Sequence, residues 1–402
     1  MPLRPGLKAA TVAVHAGGRI DPLTGASHVP IYRSSAFAFS SVEEMTEAFS
    51  GSTQRHIYSR YGNPSYEEAE QCVAALEGAE GGVAFASGMA AITASLLSCA
   101  GAGDHVITQE TLYGGTTVLL ERVLRRLGIE VTFAGMEEIE DLDRHLRPRT
   151  KVVFLETPTN PTLQVVDIQA VSAKAARAGI EVIVDNTFAS PINQTPLRLG
   201  AGLVLHSATK FLAGHGDLVA GVAAASGERL SRVRDLRKEM GGVMDPEAAW
   251  ILSRSLRTLP LRIRAQNANA MALARRLETH PAVERVNYPG LRSHPRHETA
   301  RRQMSGFGGM LSFELKGGGA AAARFVAALG LIRLLPTLGG VETSVLIPAL
   351  SSHSMISEEA RRRAGVTGGL VRLSAGIEDE GDLVEELERA LGAAGDGPFS
   401  GA

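Results

Sequence analysis

Up to about residue 60 the apolar positions keep no regular period, and Pro30, Gly51 and the Ser-rich stretches around Ser34 and Ser40 break the chain repeatedly. One short helix, Val42–Phe49, is predicted there. From Asn63 the pattern changes. Asn63 offers a capping oxygen, Pro64 suits a first helical position, and Gly78 suits a helix end. Between them Tyr66, Ala69, Val73 and Leu76 share one face at helical spacing. Short, continuous apolar runs follow at 83–86, 106–108, 129–133, 152–155, 182–184, 203–205 and 219–223, with helical patterns at 116–127 and 168–178. Strands that are apolar on both faces and alternate with helices predict an α/β domain. Its sheet should be mostly parallel and covered on both sides.

The later pattern differs. A long helix is expected near 261–277, and strands at Met310–Leu315 and Leu370–Ser374 mix with helices at 320–328 and 382–391. The chain therefore divides into an N-terminal arm, 1–60, a large domain, 61–255, and a smaller C-terminal α+β domain, 256–402. The arm is long enough to wrap a neighbouring subunit. The Gly-rich tail after Gly392 is expected to lack order.

Composition narrows the function. Lys plus Arg number 41 and Asp plus Glu 43, a net charge of −2. Nucleic acid needs a concentrated basic surface, so no nucleic-acid partner is expected. The run Arg361-Arg362-Arg363 follows Glu358 and Glu359, as on a solvated helix face. No apolar run approaches the roughly 20 residues of a membrane span, and the N-terminus lacks the apolar core of a signal peptide. A cytoplasmic protein without membrane contact is expected. Cys72 and Cys99 lie in apolar, helix-like stretches and read as small core residues. His294 and His297 flank Pro295 in a loop-like composition, so no metal site is expected.

Ligands of open α/β sheets bind beyond the carboxyl ends of the strands. After the run at 83–86 come Ser87, Gly88 and Met89 at a helix start, whose free N–H groups suit an anion such as phosphate. Many helices without ligands begin this way. After 182–184 comes Asp185, a carboxylate that is costly to bury unless paired. A protonated ring nitrogen would pair with it, and so would a helix cap. After 203–205 come Ser207, Thr209 and Lys210, two hydroxyls and an amine. A desolvated lysine near positive charge keeps its lone pair for a Schiff base, whereas a surface lysine would not. Together the three ends match the phosphate, ring nitrogen and aldehyde of pyridoxal phosphate. Arg372, in the strand LVRLS, could bind a carboxylate bidentately or simply face solvent.

The stretches YSRYGNP at 58–64, ASGMAA at 86–91, LYGGT at 112–116, ETPTNP at 156–161, VDNTF at 184–188, HSATKFLAGHGD at 206–217 and LVRLSAGIED at 370–379 occur in order along the chain. In that order and spacing they resemble the transsulfuration family, the pyridoxal-phosphate-dependent enzymes of cysteine and methionine metabolism. The resemblance implies fold type I, the aspartate-aminotransferase type, usually a homotetramer built as a dimer of dimers. It implies that Lys210 carries the cofactor and that Asp185 faces the ring nitrogen. Gly88, Met89, Ser207 and Thr209 would hold the phosphate, and Asn160 would lie near the ring hydroxyl. Tyr113 would stack on the ring and act as acid or base, and Arg372 would bind the substrate carboxylate. Tyr58 and Arg60 would reach the phosphate of a neighbouring subunit.

The resemblance leaves the reaction open. Ile57 stands where cystathionine enzymes are often acidic, and Val118 where some carry an arginine. A pocket without those charges favours a small thioether. The expected reaction is therefore γ-elimination from methionine, homocysteine or a related sulfur amino acid. The alternatives are γ-replacement on an O-acylhomoserine and cystathionine γ- or β-lyase activity. Gly115 stands where methionine γ-lyases typically place a cysteine. Glu342, beside Thr343 in GGVET, resembles an acidic residue of cystathionine enzymes, and both are candidate substrate contacts. A non-catalytic binding protein on the same fold is a further reading, opposed by the intact set of Lys210, Tyr113 and Asp185.

Overall fold

The computed structural model describes residues 4, 6–21, 23–354 and 358–395. Seven strands form the central sheet: β1 (Gly81–Phe85), β2 (His105–Gln109), β3 (Glu130–Ala134), β4 (Thr150–Glu156), β5 (Glu181–Asp185), β6 (Leu203–His206) and β7 (Gly221–Ala225). Their order is β1-β7-β6-β5-β4-β2-β3. Neighbours from β6 to β3 pair in parallel, whereas β7 runs antiparallel to both β1 and β6. The exception has a local cause. No helix intervenes between β6 and β7, and a parallel return would need such a crossover.

Burial on both faces explains the continuous apolar runs. In β4, Val152 and Phe154 join the core that contains Ile92, Leu96 and Leu120. Val153 and Leu155, which alternate with them, join the opposite core with Ile168, Val171 and Val184. The helix Pro64–Glu77 forms as its end signals predict. Asn63 Oδ1 accepts the Ser65 N–H at 2.8 Å, and Gly78 closes the helix at φ 71°.

The second sheet has order β10-β11-β12-β9-β8, from β8 (Val283–Asn287), β9 (Met310–Leu315), β10 (Arg333–Leu334), β11 (Ser344–Leu346) and β12 (Leu370–Ser374). A long helix, Leu259–Glu278, links the two regions. Leu259 and Ile263 pack into the large-domain core with Phe211 and Leu338. Leu273 and Leu277 pack into the small-domain core with Leu311 and Phe313. A boundary near 256 thus falls at the start of an element that both cores share.

Two expectations change. The strand expected at 219–223 begins at Gly221 and runs to Ala225, because its ladder opposite Phe85 starts there; Val219 stays 64% exposed. The helix expected at 116–127 begins at Gly114 and passes into a π-helical segment, Leu119–Leu124. Within the arm, Ala13 and Ala16, in and just after the helix Ala9–His15, are buried in one core with Tyr66 and Leu256. The last helix, Glu380–Gly395, continues past Gly392, and the rest of the expected tail lies outside the described residues.

Candidate active site

β1, β4, β5 and β6 bring Phe85, Glu156, Asp185 and His206 to one edge of the sheet. Beyond that edge lies a cavity of about 320 Å³. Its floor is the start of the Gly88–Cys99 helix, where Ser87 Oγ caps the Ala90 N–H at 3.1 Å. Gly88 allows the turn to press against Ser207, since a Cβ there would lie 2.8 Å from that residue's Cβ. Ser207 lines the cavity, and its N–H donates to Thr187 Oγ1 at 2.8 Å. Thr209 also lines it, although its hydroxyl already donates to Ala220 O and accepts the Ala220 N–H.

Asp185 and Glu156 are register partners on adjacent parallel strands, and both are buried. Asp185 Oδ1 accepts both the N–H and the hydroxyl of Thr187. Burial still pushes the Asp185 pKa up, against the pull of Thr187 and of the nearby His206. Behind His206, Glu77 Oε1 lies 2.6 Å from His206 Nε2 and accepts the Asn186 amide at 2.9 Å. Glu156 is pushed up to about 8, by burial first and then by the Asp185 charge. Its Oε2 accepts the Tyr113 N–H at 2.8 Å and its Oε1 the Asn160 N–H at 2.9 Å.

Lys210 lies in the turn between β6 and β7 and donates to Thr337 Oγ1 at 3.1 Å. Burial, followed by the Arg372 guanidinium, lowers its pKa from the ordinary lysine value. Arg372, on β12, is buried and donates to Asn160 Oδ1 at 3.1 Å and to Thr337 O at 3.0 Å. Desolvation brings its guanidinium down to about 10. Tyr113 stands at the mouth, 45% exposed. A Cβ at Gly115 would lie 2.5 Å from Tyr113 Cε1, so glycine is what lets the ring sit there.

The sequence compares closely with known proteins over nearly its whole length. The family model for Cys/Met metabolism PLP-dependent enzymes matches residues 10–392. The chain belongs to that family. It is 43% identical to an L-methionine γ-lyase of Fusobacterium nucleatum subsp. nucleatum, covering 95% of this chain and 97% of that one. It is 40% identical to an O-succinylhomoserine sulfhydrylase of Pseudomonas aeruginosa, covering 95% of each. The crystal structure of a cystathionine γ-lyase from Lactobacillus plantarum, complexed with L-serine, superposes with a TM-score of 0.91 at 38% identity, covering 96% of this chain and 99% of that one. The protein is thus a pyridoxal-phosphate-dependent transsulfuration enzyme of the α/β fold type I class.

The cavity suits the cofactor of this family. Gly88 leaves a cradle that a side chain would fill, at a helix start where N–H groups favour an anion. The same cavity is lined by a buried carboxylate, Asp185, and a desolvated amine, Lys210. The cavity lining includes Gly88, Met89, Tyr113, Asn160, Asp185, Ser207, Thr209, Lys210 and Arg372.

Other candidates lie elsewhere. Tyr58 is 41% exposed and forms a bridge with Ala36, outside this chain's own cavity. Arg60 donates to Lys238 O at 2.6 Å. Ile57 and Val118 are half-buried and line no part of the cavity, and Glu342 pairs with Arg333 at 3.1 Å. Thr343 lies in the small domain. Its buried hydroxyl donates to Glu378 and accepts the Gly376 N–H, which commits it to the turn after β12. His294 and His297 each face a backbone carbonyl, of Leu163 and Pro289. Glu156 and Thr337 were not singled out by sequence. Glu156 carries the same signal as Asp185, a carboxylate ending a buried strand. Thr337 carries none, because its hydroxyl meets Lys210 only through the packing of the two domains.

Proposed function

We propose that this enzyme eliminates the γ-substituent of methionine, homocysteine or a related sulfur amino acid. With one water it yields a thiol, 2-oxobutanoate and ammonia. The observation that carries this reading is the cavity wall. Among the described residues Arg372 is the one arginine lining it, while Met89, Ile92, Val219, Pro336 and Leu338 supply apolar surface. One guanidinium suits one α-carboxylate. A second carboxylate, as in cystathionine, would be desolvated with no further guanidinium in the lining to pair it.

Pyridoxal phosphate, when bound, supplies an electron sink for charge developing at the substrate α-carbon. In this reading the helix start at Gly88 and Met89, with Ser207 and Thr209, holds the phosphate. Asp185 would keep a proton on the ring nitrogen, and Asn160 would stand by the ring hydroxyl. Arg372 orients the substrate carboxylate. Lys210 anchors the cofactor and takes the α-proton, a role helped by burial and the Arg372 charge, which favour the neutral amine. A proton would then leave the β-carbon, and Tyr113, which would stack on the ring, would give one to the departing sulfur. Tyr58 and Arg60 serve the site of a neighbouring copy in a homotetramer, with Ile57 beside them and Val118 and Glu342 toward the substrate entrance. A cytoplasmic location belongs to the same reading, and the free Cys72 and Cys99 are consistent with a reducing compartment.

The test is product analysis by mass spectrometry on methionine, homocysteine, cystathionine and O-acylhomoserines, each with and without an added thiol. A higher kcat/KM for methionine or homocysteine than for cystathionine is expected, as is a shift towards cystathionine in Ile57→Glu. A preference for cystathionine in the unmodified enzyme would overturn the reading of the pocket. Thiol-dependent products from an O-acylhomoserine at higher kcat/KM would replace elimination with γ-replacement.

A further inference from the structure

Glu156 is an expensive residue where it stands. It is buried, and its register partner Asp185 is a second carboxylate. Two like charges in a poorly solvated site disfavour each other. Its geometry shows what the cost secures. One oxygen accepts the N–H of Tyr113 and the other the N–H of Asn160. Those residues sit on different connections, one leaving β2 and the other leaving β4. Glu156 is itself pinned: its N–H donates to Gln109 Oε1 at 3.1 Å, and its carbonyl accepts from Gln109 Nε2 at 2.6 Å. Asn160 passes its position on, because its Oδ1 accepts from Arg372. A glutamine could serve one of the two N–H groups but would turn its own NH2 towards the other. An aspartate, one methylene shorter, could not span both.

We propose that Glu156 is a positioning residue that holds Tyr113 and Asn160 in register on either side of the cofactor ring. The role is the same for elimination and for replacement. It rests on the proposed placement of Tyr113 and Asn160 beside the ring.

The test compares the holoenzyme with Glu156→Gln, Glu156→Asp and Tyr113→Ala. Folding is checked by far-UV circular dichroism. Visible circular dichroism of the bound cofactor reports the asymmetry of its surroundings, and spin filtration reports its release. Both Glu156 variants should fold, lose at least half of the visible dichroic signal and release cofactor severalfold faster. Glu156→Gln, which removes an ionisable carboxyl group, should also shift the pH midpoint of the bound cofactor's absorbance, and Glu156→Asp should shift it less. Wild-type dichroism and release in the folded variants would overturn the proposal, even with a shifted pH midpoint. So would failure of both variants to fold, because a positioning role leaves the sheet intact. Tyr113→Ala should weaken the same signal. If it does not, the stacking assignment fails, which is distinguishable from failure at Glu156.

Discussion

Side by side at the ends of β4 and β5, Glu156 and Asp185 show how one pair of residues links site chemistry to stability. Glu156 is raised to about 8, above its ordinary value of 4.5. The folded state therefore holds a proton that the unfolded chain gives up. Such a group contributes stability below pH 4.5 that is lost as pH rises through about 8. Two buried histidines act in the opposite sense. His294 and His353 are lowered to about 4 by burial, so their adverse contribution fades by about pH 6.5. Between pH 6.5 and 8 the carboxyl pair gives a falling slope, and the lowered pKa of Lys210 works in the opposite sense. In cofactor-free protein the pair should contribute a loss of up to about 1 kcal/mol per pH unit across that window, the bound of one proton's linkage. Urea unfolding at pH 6.5 and 8 measures this, and Glu156→Gln should flatten the difference. An equal slope in both proteins would refute the assignment of the proton to this pair. Asp185 was legible in the sequence as a costly carboxylate ending a strand. Glu156 carried the same signal, but its two partners depend on where two separate loops return.

The elements that could be read from the sequence are those whose two faces are both buried or whose ends carry caps. β4 and β5 are apolar because helices cover both sides, and Asn63 and Gly78 mark their helix directly. The helix Gly227–Met240 gave no such stripe, since in a largely charged sequence only Leu230, Val233 and Arg237 are buried. β10 was equally silent because both of its residues are exposed. The start of β7 was misplaced because its limit is a backbone contact, not a hydrophobic pattern. A Cβ at Gly221 would lie 2.2 Å from Ser87 O and 2.9 Å from Gly88 N. That contact seats the start of β7 against the proposed phosphate turn. Gly221→Ala should therefore separate the two, costing about 1–3 kcal/mol as overpacking does. Cofactor affinity should fall severalfold in the same variant. Urea unfolding and cofactor titration read the two effects, and unchanged affinity in a destabilised variant would separate the strand contact from the binding turn.

At the scale of the whole molecule, one chain leaves part of the proposed machinery unused. Arg60 lines no part of its own cavity and stacks over Tyr61, 4.9 Å from the ring centroid, and over Tyr58 at 5.7 Å. The same arm exposes Val42 and Phe49, 68% and 62% accessible, on the helix Val42–Phe49. Charged and apolar groups presented together suit a second copy, where symmetry would carry each arm to the other's cavity. The arrangement makes a quantitative demand. In a mixed dimer of Arg60→Ala and Lys210→Ala subunits, one site receives both wild-type residues and the other receives neither. If each variant alone is nearly inactive, random exchange at equal amounts places half the chains in mixed dimers with one good site each. Activity should then rise toward about one quarter of wild type. Subunit exchange is verified by native mass spectrometry of differently tagged chains. Proven exchange without recovery would confine each site to a single chain and leave the exposed arm without this role.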